Sequence, residues 1–129
     1  MKKTMLATLA VAALLAGCAR TAPIYNVNEA PVSNANGKKL ATQQVRAAIV
    51  TAGTSLGWTM RDAGPNKLEG TLRIRTHTAV VDIPYNDRAY SIVYKSSEGL
   101  DAGTGTIHNN YNGWVQNLDR AIKTEIARL

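Results

Sequence analysis

The chain has 129 residues, 45% of them apolar and 19% charged, with 15 Lys and Arg against 9 Asp and Glu. That leaves room for one domain, with too much apolar content for a disordered chain and, at one cysteine, neither an internal disulfide nor a cysteine-rich zinc site. The formal charge of +6 invites a nucleic-acid reading, but no Arg/Lys-rich block with interleaved aromatics is present to carry it.

The first eighteen residues read MKKTMLATLAVAALLAGC. Lys2 and Lys3 form a positive start, Thr4 to Leu15 is an uncharged and nearly unbroken apolar run, and the small residues Ala16 and Gly17 precede Cys18. A run of about a dozen residues is too short to span about 30 Å of hydrocarbon, which marks a secretory signal rather than a permanent membrane helix. No Arg-Arg pair precedes it, so the general secretory route is expected over the twin-arginine one.

Leu15-Ala16-Gly17-Cys18 resembles the lipobox of bacterial lipoproteins. The resemblance implies that the Cys18 sulfur takes a diacylglycerol thioether, that a type II signal peptidase cuts just before it after recognising Leu15, Ala16 and Gly17, and that the new amino terminus is acylated. Three acyl chains anchor far more firmly than a single myristoyl chain, which binds with only about 10⁴ M⁻¹. Ala19 stands where an Asp would imply retention in the inner membrane, so the resemblance implies the outer membrane of a Gram-negative host. Cleavage before Cys18 removes Lys2 and Lys3, leaving 13 basic and 9 acidic side chains and a net of +4. An envelope location removes nucleic acid from the expected partners.

Residues 18–37 are then the lipidated cysteine and a tether. Ala19 to Gly37 is rich in Ala, Asn and Pro and shows neither helical nor strand periodicity; as a flexible coil it would reach about 25 Å. Ile24, Tyr25 and Val27 are the residues in it able to dock on the domain. From Lys38 to Leu56, Ala41, Val45, Ala48, Ile49, Ala52 and Leu56 recur at helical spacing, with Gln43, Gln44, Arg46 and Thr51 on the other side. Asn36 or Gly37 can begin this helix and Gly53 or Gly57 can end it, and Trp58 is expected to fold back on the core.

The middle of the chain alternates as an antiparallel sheet. Trp58 and Met60 alternate with Thr59 and Arg61, and Ala63-Gly64-Pro65-Asn66 supplies a turn. Leu68, Gly70, Leu72 and Ile74 share one parity, whereas Ala79, Val81, Ile83 and Tyr85 have the other, so a continuous strand would place them on opposite faces. A hairpin turning at Thr76-His77 resolves the conflict by setting Ile74 opposite Ala79, Leu72 opposite Val81 and Gly70 opposite Ile83; a bulge is the alternative. A second turn at Asn86-Asp87-Arg88 brings Tyr90, Ile92 and Tyr94 to the same face. Lys95 to Ile107 reads as a Gly-rich loop anchored by Leu100 and Ile107.

Asn109 to Leu129 is the clearest helix. Tyr111, Trp114, Val115, Leu118, Ile122, Ile126 and Leu129 form one stripe, with Gln116, Asp119, Arg120 and Lys123 facing out and Asn109 as N-cap. Gly113 costs about 1 kcal/mol of helix propensity relative to Ala, which suggests close approach to another element. The order is α-β-β-β-β-α over residues 38–129: an α+β two-layer sandwich, with an antiparallel sheet of three to four strands and two helices on one face. About 90 residues clear the size at which a core alone becomes marginal.

The string Ile107-His108-Asn109-Asn110-Tyr111-Asn112-Gly113-Trp114-Val115-Gln116-Asn117-Leu118, with Arg75-x-His77 and Tyr90-Ser91-Ile92-x-Tyr94, is similar to a group of small proteobacterial lipoproteins of uncharacterised role. That resemblance covers most of the mature domain and brings no catalytic residue with it. The outer-membrane assembly lipoprotein of the small-protein-A type has comparable size, but its two helices precede three strands, an order this chain departs from.

Candidate sites are few. An acylated Cys18 cannot act as a nucleophile, and Ser91, Ser96 and Ser97 sit in no G-x-S-x-G elbow. His77 and His108 lack a linking ligand motif, although Asp82 or Asp101 could join them at a metal; a turn residue at a hairpin tip and a polar residue before a helix are the plainer readings. Glu69, Asp82, Glu98 and Asp101 could supply a glycosidase pair. On the sheet's outer face, Arg73, Arg75 and Lys95 would project with Thr71, Thr78 and Ser91, countered by Glu69 and Asp82, with Val80 and Val93 between. That surface reads either as a solvated face with cross-strand ion pairs or as a docking face for an anionic partner.

The expectation is therefore a non-enzymatic outer-membrane lipoprotein facing the periplasm, a binding or envelope-assembly module whose partner is an envelope protein or an anionic envelope component. No cofactor is expected beyond the lipid on Cys18. Two other classes compete: a small-ligand binder with a pocket lined by Trp58, Tyr90, Tyr94 and Trp114, and a cell-wall hydrolase using the carboxylates.

Overall fold

The computed structural model describes residues 20–129. Two helices, α1 (Thr42–Ser55) and α2 (Asn109–Ala127), pack against each other and against one face of an antiparallel sheet. The sheet has five strands in the spatial order β2 (Val27–Pro31), β6 (Ala89–Glu98), β5 (His77–Pro84), β4 (Lys67–Ile74) and β3 (Thr59–Asp62). A second, two-stranded sheet pairs β1 (Thr21–Pro23) with β7 (Thr106–His108). The fold is α+β, and α1, β3 to β6 and α2 follow the expected α-β-β-β-β-α order. Two further strands, β1 and β2, precede that series, and β7 is inserted between β6 and α2.

The core is the face on which the strand parities agree. Leu68, Leu72, Ala79, Val81, Ile83, Tyr90 and Ile92 are buried against Val45, Ala48, Ile49 and Ala52 of α1 and Tyr111, Val115, Leu118, Ile122 and Ile126 of α2 in one apolar cluster. Gly53 on α1 and Gly70 on β4 leave the space that Met60 of β3 fills; a methyl group at Gly53 would overlap the Met60 Cε. A side chain is omitted at Gly70 so that helix, strand and thioether can meet.

The β4–β5 hairpin pairs Leu72 with Ala79, Gly70 with Val81 and Ile74 with His77, so the turn is Arg75-Thr76 rather than Thr76-His77. Pairing moves by two residues, which preserves the buried face because side chains alternate with period two. A two-residue turn of this kind needs positive φ, and Arg75 takes it at 56°. The Asn86 turn forms as expected: its Oδ1 accepts from the Arg88 and Ala89 N–H groups, each at 2.8 Å.

Two irregularities hid strands from the sequence pattern. Lys95 to Glu98 continue β6 instead of opening a loop, and Lys95 is the extra residue of a bulge between Tyr94, opposite Val81, and Ser96, opposite Val80. The tether expected over residues 18–37 is in part built into the domain, through β1 and β2. In β2, Val27 and Ala30 are both buried although three residues apart, because a bulge at Asn28-Glu29, with Glu29 at φ 50°, resets the alternation. The Glu29 N–H donates to Ser91 Oγ at 2.9 Å, so Ser91, expected on the open face, is buried under β2.

Helix α1 begins at Thr42, later than Lys38, with the Ala41 N–H donating to Gln44 Oε1. It ends in a Schellman motif: Gly57, at φ 90°, donates to the Thr54 carbonyl and Trp58 to that of Gly53. This closure folds Trp58 onto the core, where it is 3% exposed. In α2 the N-cap is His108 rather than Asn109, its Nδ1 accepting from the Asn110 N–H. Nothing lies within 4 Å of a methyl group placed on Gly113, which overturns the expectation of close approach there. Gly113→Ala is therefore expected to raise the unfolding free energy by up to about 1 kcal/mol in urea titrations, from helix propensity alone.

Candidate functional site

Leu15, Ala16, Gly17 and Cys18, expected to form a lipobox, lie outside the described residues. The chain enters the fold immediately after them: the Arg20 carbonyl accepts from the Asn109 N–H at 2.7 Å, and Thr21 begins β1. Cys18 is thus two residues from the folded domain, and a long spacer is absent.

On the outer sheet face the strand register stacks side chains in rows. Arg61, Glu69, Asp82 and Val93 form one row, and Arg73, Thr78 and Glu98 another. Glu69 is the hub: it accepts from Arg61 Nε at 2.9 Å and from Lys95 Nζ at 2.7 Å, while Lys95 also stands 3.8 Å from Asp82. These two partners screen Glu69 to 8% exposure on a face that is otherwise open. Lys95 and Arg61 together hold the Glu69 carboxyl below the usual carboxylate range, and Glu69 in turn raises Lys95.

The structure consequently does not gather Arg73, Arg75 and Lys95 into one cationic patch. Lys95 is neutralised in the Glu69 network, and Arg75 sits in the hairpin turn rather than on the face. Arg73 faces outward across from Thr78, with no carboxylate within ion-pair distance among the described residues. The face carries Arg61, Lys67, Arg73 and Lys95 against Glu69, Asp82 and Glu98, and two of the four cations, Arg61 and Lys95, are taken up by Glu69. It resembles the solvated, cross-strand-paired surface more than a docking face for an anion.

The stability of this network depends on acid. Because the Glu69 carboxyl is lowered in the folded state, its contribution is complete above its unfolded value, near pH 4.5, and is lost as pH falls through the folded value. Glu69→Gln is expected to flatten that acid limb, read from urea midpoints measured between pH 6 and about pH 2. An unchanged limb would place the acid sensitivity elsewhere.

The aromatic set Trp58, Tyr90, Tyr94 and Trp114 is divided among three places. Tyr90 Oη donates to Asp119 Oδ1 at 2.5 Å in the core. Tyr94 stands edge-on to Tyr111, with ring centroids 5.5 Å apart, and its hydroxyl pairs with Ser97. Trp58 and Trp114 line a shallow apolar cleft of about 90 Å³ with Leu56, Leu72, Ile74 and Asn117. Beside it lies a polar hollow of about 250 Å³ lined by Gly57, Thr59, Thr71 and Arg73.

Asp119, expected to face out from α2, is buried instead. It is 7% exposed, and Lys123 Nζ, one turn on, covers its other oxygen at 3.0 Å. The signal was present in the spacing, since Asp119 is four residues after Val115 and three before Ile122, on the apolar stripe itself.

Both histidines are engaged by the backbone. His77 Nδ1–H donates to the Gly99 carbonyl at 2.8 Å, fastening the hairpin tip to the loop after β6, and His108 caps α2. Among the described residues no cluster of three His, Cys, Asp or Glu side chains could hold a metal ion, and no helix is long and apolar enough to cross a membrane. No protein-family model, curated protein or solved structure matches the chain.

Proposed function

We infer that this chain is a lipoprotein of the Gram-negative outer membrane, facing the periplasm and acting as a non-enzymatic binding or envelope-assembly module. The observation that carries the reading is Leu15-Ala16-Gly17-Cys18, placed behind Lys2-Lys3 and an uncharged apolar run. Its consequence is an acylated Cys18 as the membrane anchor. The start of β1 only three residues after Cys18 supports the same reading, because a domain that begins folding there needs no cleavage site further on.

Glu69 is not suited to be the acid of a glycosidase pair. A glycosidase acid requires a carboxyl raised so that it still holds a proton, whereas Glu69 is lowered by Lys95 and Arg61. A ligand pocket between sheet and helices loses support because Tyr90 spends its hydroxyl on Asp119, and the two tryptophans open onto a shallow surface cleft instead.

Cys18→Ala is expected to abolish incorporation of labelled palmitate in cells, whereas the wild-type chain is labelled. Labelling of the variant at the wild-type level would overturn the reading.

A further inference from the structure

We propose that the end of the domain formed by Leu56, Trp58, Ile74 and Trp114 rests on the phospholipid surface to which the chain is anchored. The proposal builds on the lipidation of Cys18 and adds to it a defined orientation and a second membrane contact.

The topology brings these residues together at the end where the chain emerges. Leu56 closes α1, Trp58 precedes β3, and Ile74 ends β4 beside the Arg75-Thr76 turn. That turn is tied to Gly99 through His77, and the His108 N–H donates to the Leu100 carbonyl, which sets the start of α2 at the same end. Trp114 lies five residues into α2, about 7.5 Å along its axis. Arg20 is bonded to the first residue of that helix, and Cys18 is two residues further back, at most about 7 Å of chain. An acylated Cys18 would therefore hold this end, and not the Asn86 turn at the other, against the bilayer.

The chemistry of the end suits a lipid interface. Leu56 and Ile74, at 41% and 39% exposure, are two of only three large apolar side chains left exposed among the described residues, and they meet in one cleft with both tryptophans. Tryptophan is enriched where one side of a ring is apolar and the other wet, at the headgroup level. Arg73, at the lip of the adjoining hollow with Thr59 and Thr71, can donate to a headgroup phosphate while Ile74 beside it enters the apolar zone. Arg73 and Arg75, with Arg20 beside the start of α2, lie at this end with Glu98 at the end of β6 and Asp101 shortly after it, three cations to two acids, so charge alone does not choose the surface. The apolar cleft and the position of the anchor do.

The chain's two tryptophans, both in the cleft, supply the readout. The full-length protein, matured in cells and purified in detergent, is reconstituted into vesicles of phosphatidylethanolamine and phosphatidylglycerol with either ordinary or brominated acyl chains. Bromine quenches indole emission only at near contact, so the wild-type protein is expected to lose about half its fluorescence or more in the brominated vesicles. Leu56→Glu/Ile74→Glu, which alters exposed positions only, is expected to float with the vesicles as wild type does while losing that quenching. Equal emission of the floated wild-type protein in both vesicle types overturns the proposal, and is the result expected if another protein fills the cleft. A wild-type protein that does not float with vesicles removes the anchor, and the proposal with it.

Discussion

Between pH 10 and pH 12 the protein is expected to lose roughly 5 kcal/mol of stability, from two tyrosines alone. Burial, and then the neighbouring Asp119 carboxylate, push the Tyr90 hydroxyl well above the ordinary value of 10. Burial, and secondarily Tyr94, do the same to Tyr111, whose hydroxyl has no hydrogen-bond partner among the described residues. Both stay neutral in the folded chain while the unfolded chain ionises near pH 10. Their contribution is therefore complete below pH 10 and declines as pH rises, by about 1.4 kcal/mol per unit for each tyrosine. A small domain commonly has only about 5–15 kcal/mol in total, so alkali should unfold it. Tyr111→Phe removes a buried orphan hydroxyl, so it should cost nothing at pH 7 and remove about half of the alkaline slope. Urea midpoints from pH 8 to pH 12 measure both effects. A Tyr111→Phe variant with the wild-type slope would contradict the assignment.

Asp119→Ala is expected to lower the unfolding free energy by about 2–3 kcal/mol at pH 7. The substitution strands the Tyr90 hydroxyl in the core, where Tyr90 is 1% exposed, and leaves Lys123 without its partner. Hydrogen bonds to charged groups are worth about 1.5–3 kcal/mol, and an orphaned buried hydroxyl costs about 1–3 kcal/mol. Asp119→Asn keeps an acceptor for Tyr90 and loses only the charge, so its cost should be about half as large. Chemical denaturation followed by far-UV circular dichroism orders the two variants. A loss below about 0.5 kcal/mol for Asp119→Ala, the range of ordinary surface changes, would mean that the Tyr90–Asp119 bond does not hold helix and sheet together.

The central sheet and both helices were legible because their apolar residues keep strict period. Leu68 and Leu72 within β4, and Ala79, Val81 and Ile83 within β5, each keep the strand alternation, and α2 presents Tyr111, Val115, Leu118 and Ile122 at helical spacing. The parts missed are those where the backbone breaks the period. In β2 the Glu29 bulge puts Val27 and Ala30 on one side, a spacing that reads as neither helix nor strand, and in β6 the Lys95 bulge made a strand resemble a loop.

The site was legible in a different way. The proposed lipobox is a linear motif read without a fold, whereas the outer face depends on which strand pairs with which, and on a bulge that turns Lys95 toward Glu69. No spacing along the chain announces that Lys95 is spent on Glu69 and Asp82, 26 and 13 residues away in sequence. The apolar cleft was likewise invisible as a unit, because its residues come from the ends of α1 and β4 and from the interior of α2.

The proposed place of the domain in the envelope rests on Cys18, and the intact mass of the protein isolated from membranes tests it most directly. The predicted product begins at Cys18 and carries a diacylglyceryl thioether and an amide-linked acyl chain. A mature protein that begins elsewhere, or that begins at Cys18 with a free thiol, would contradict the account.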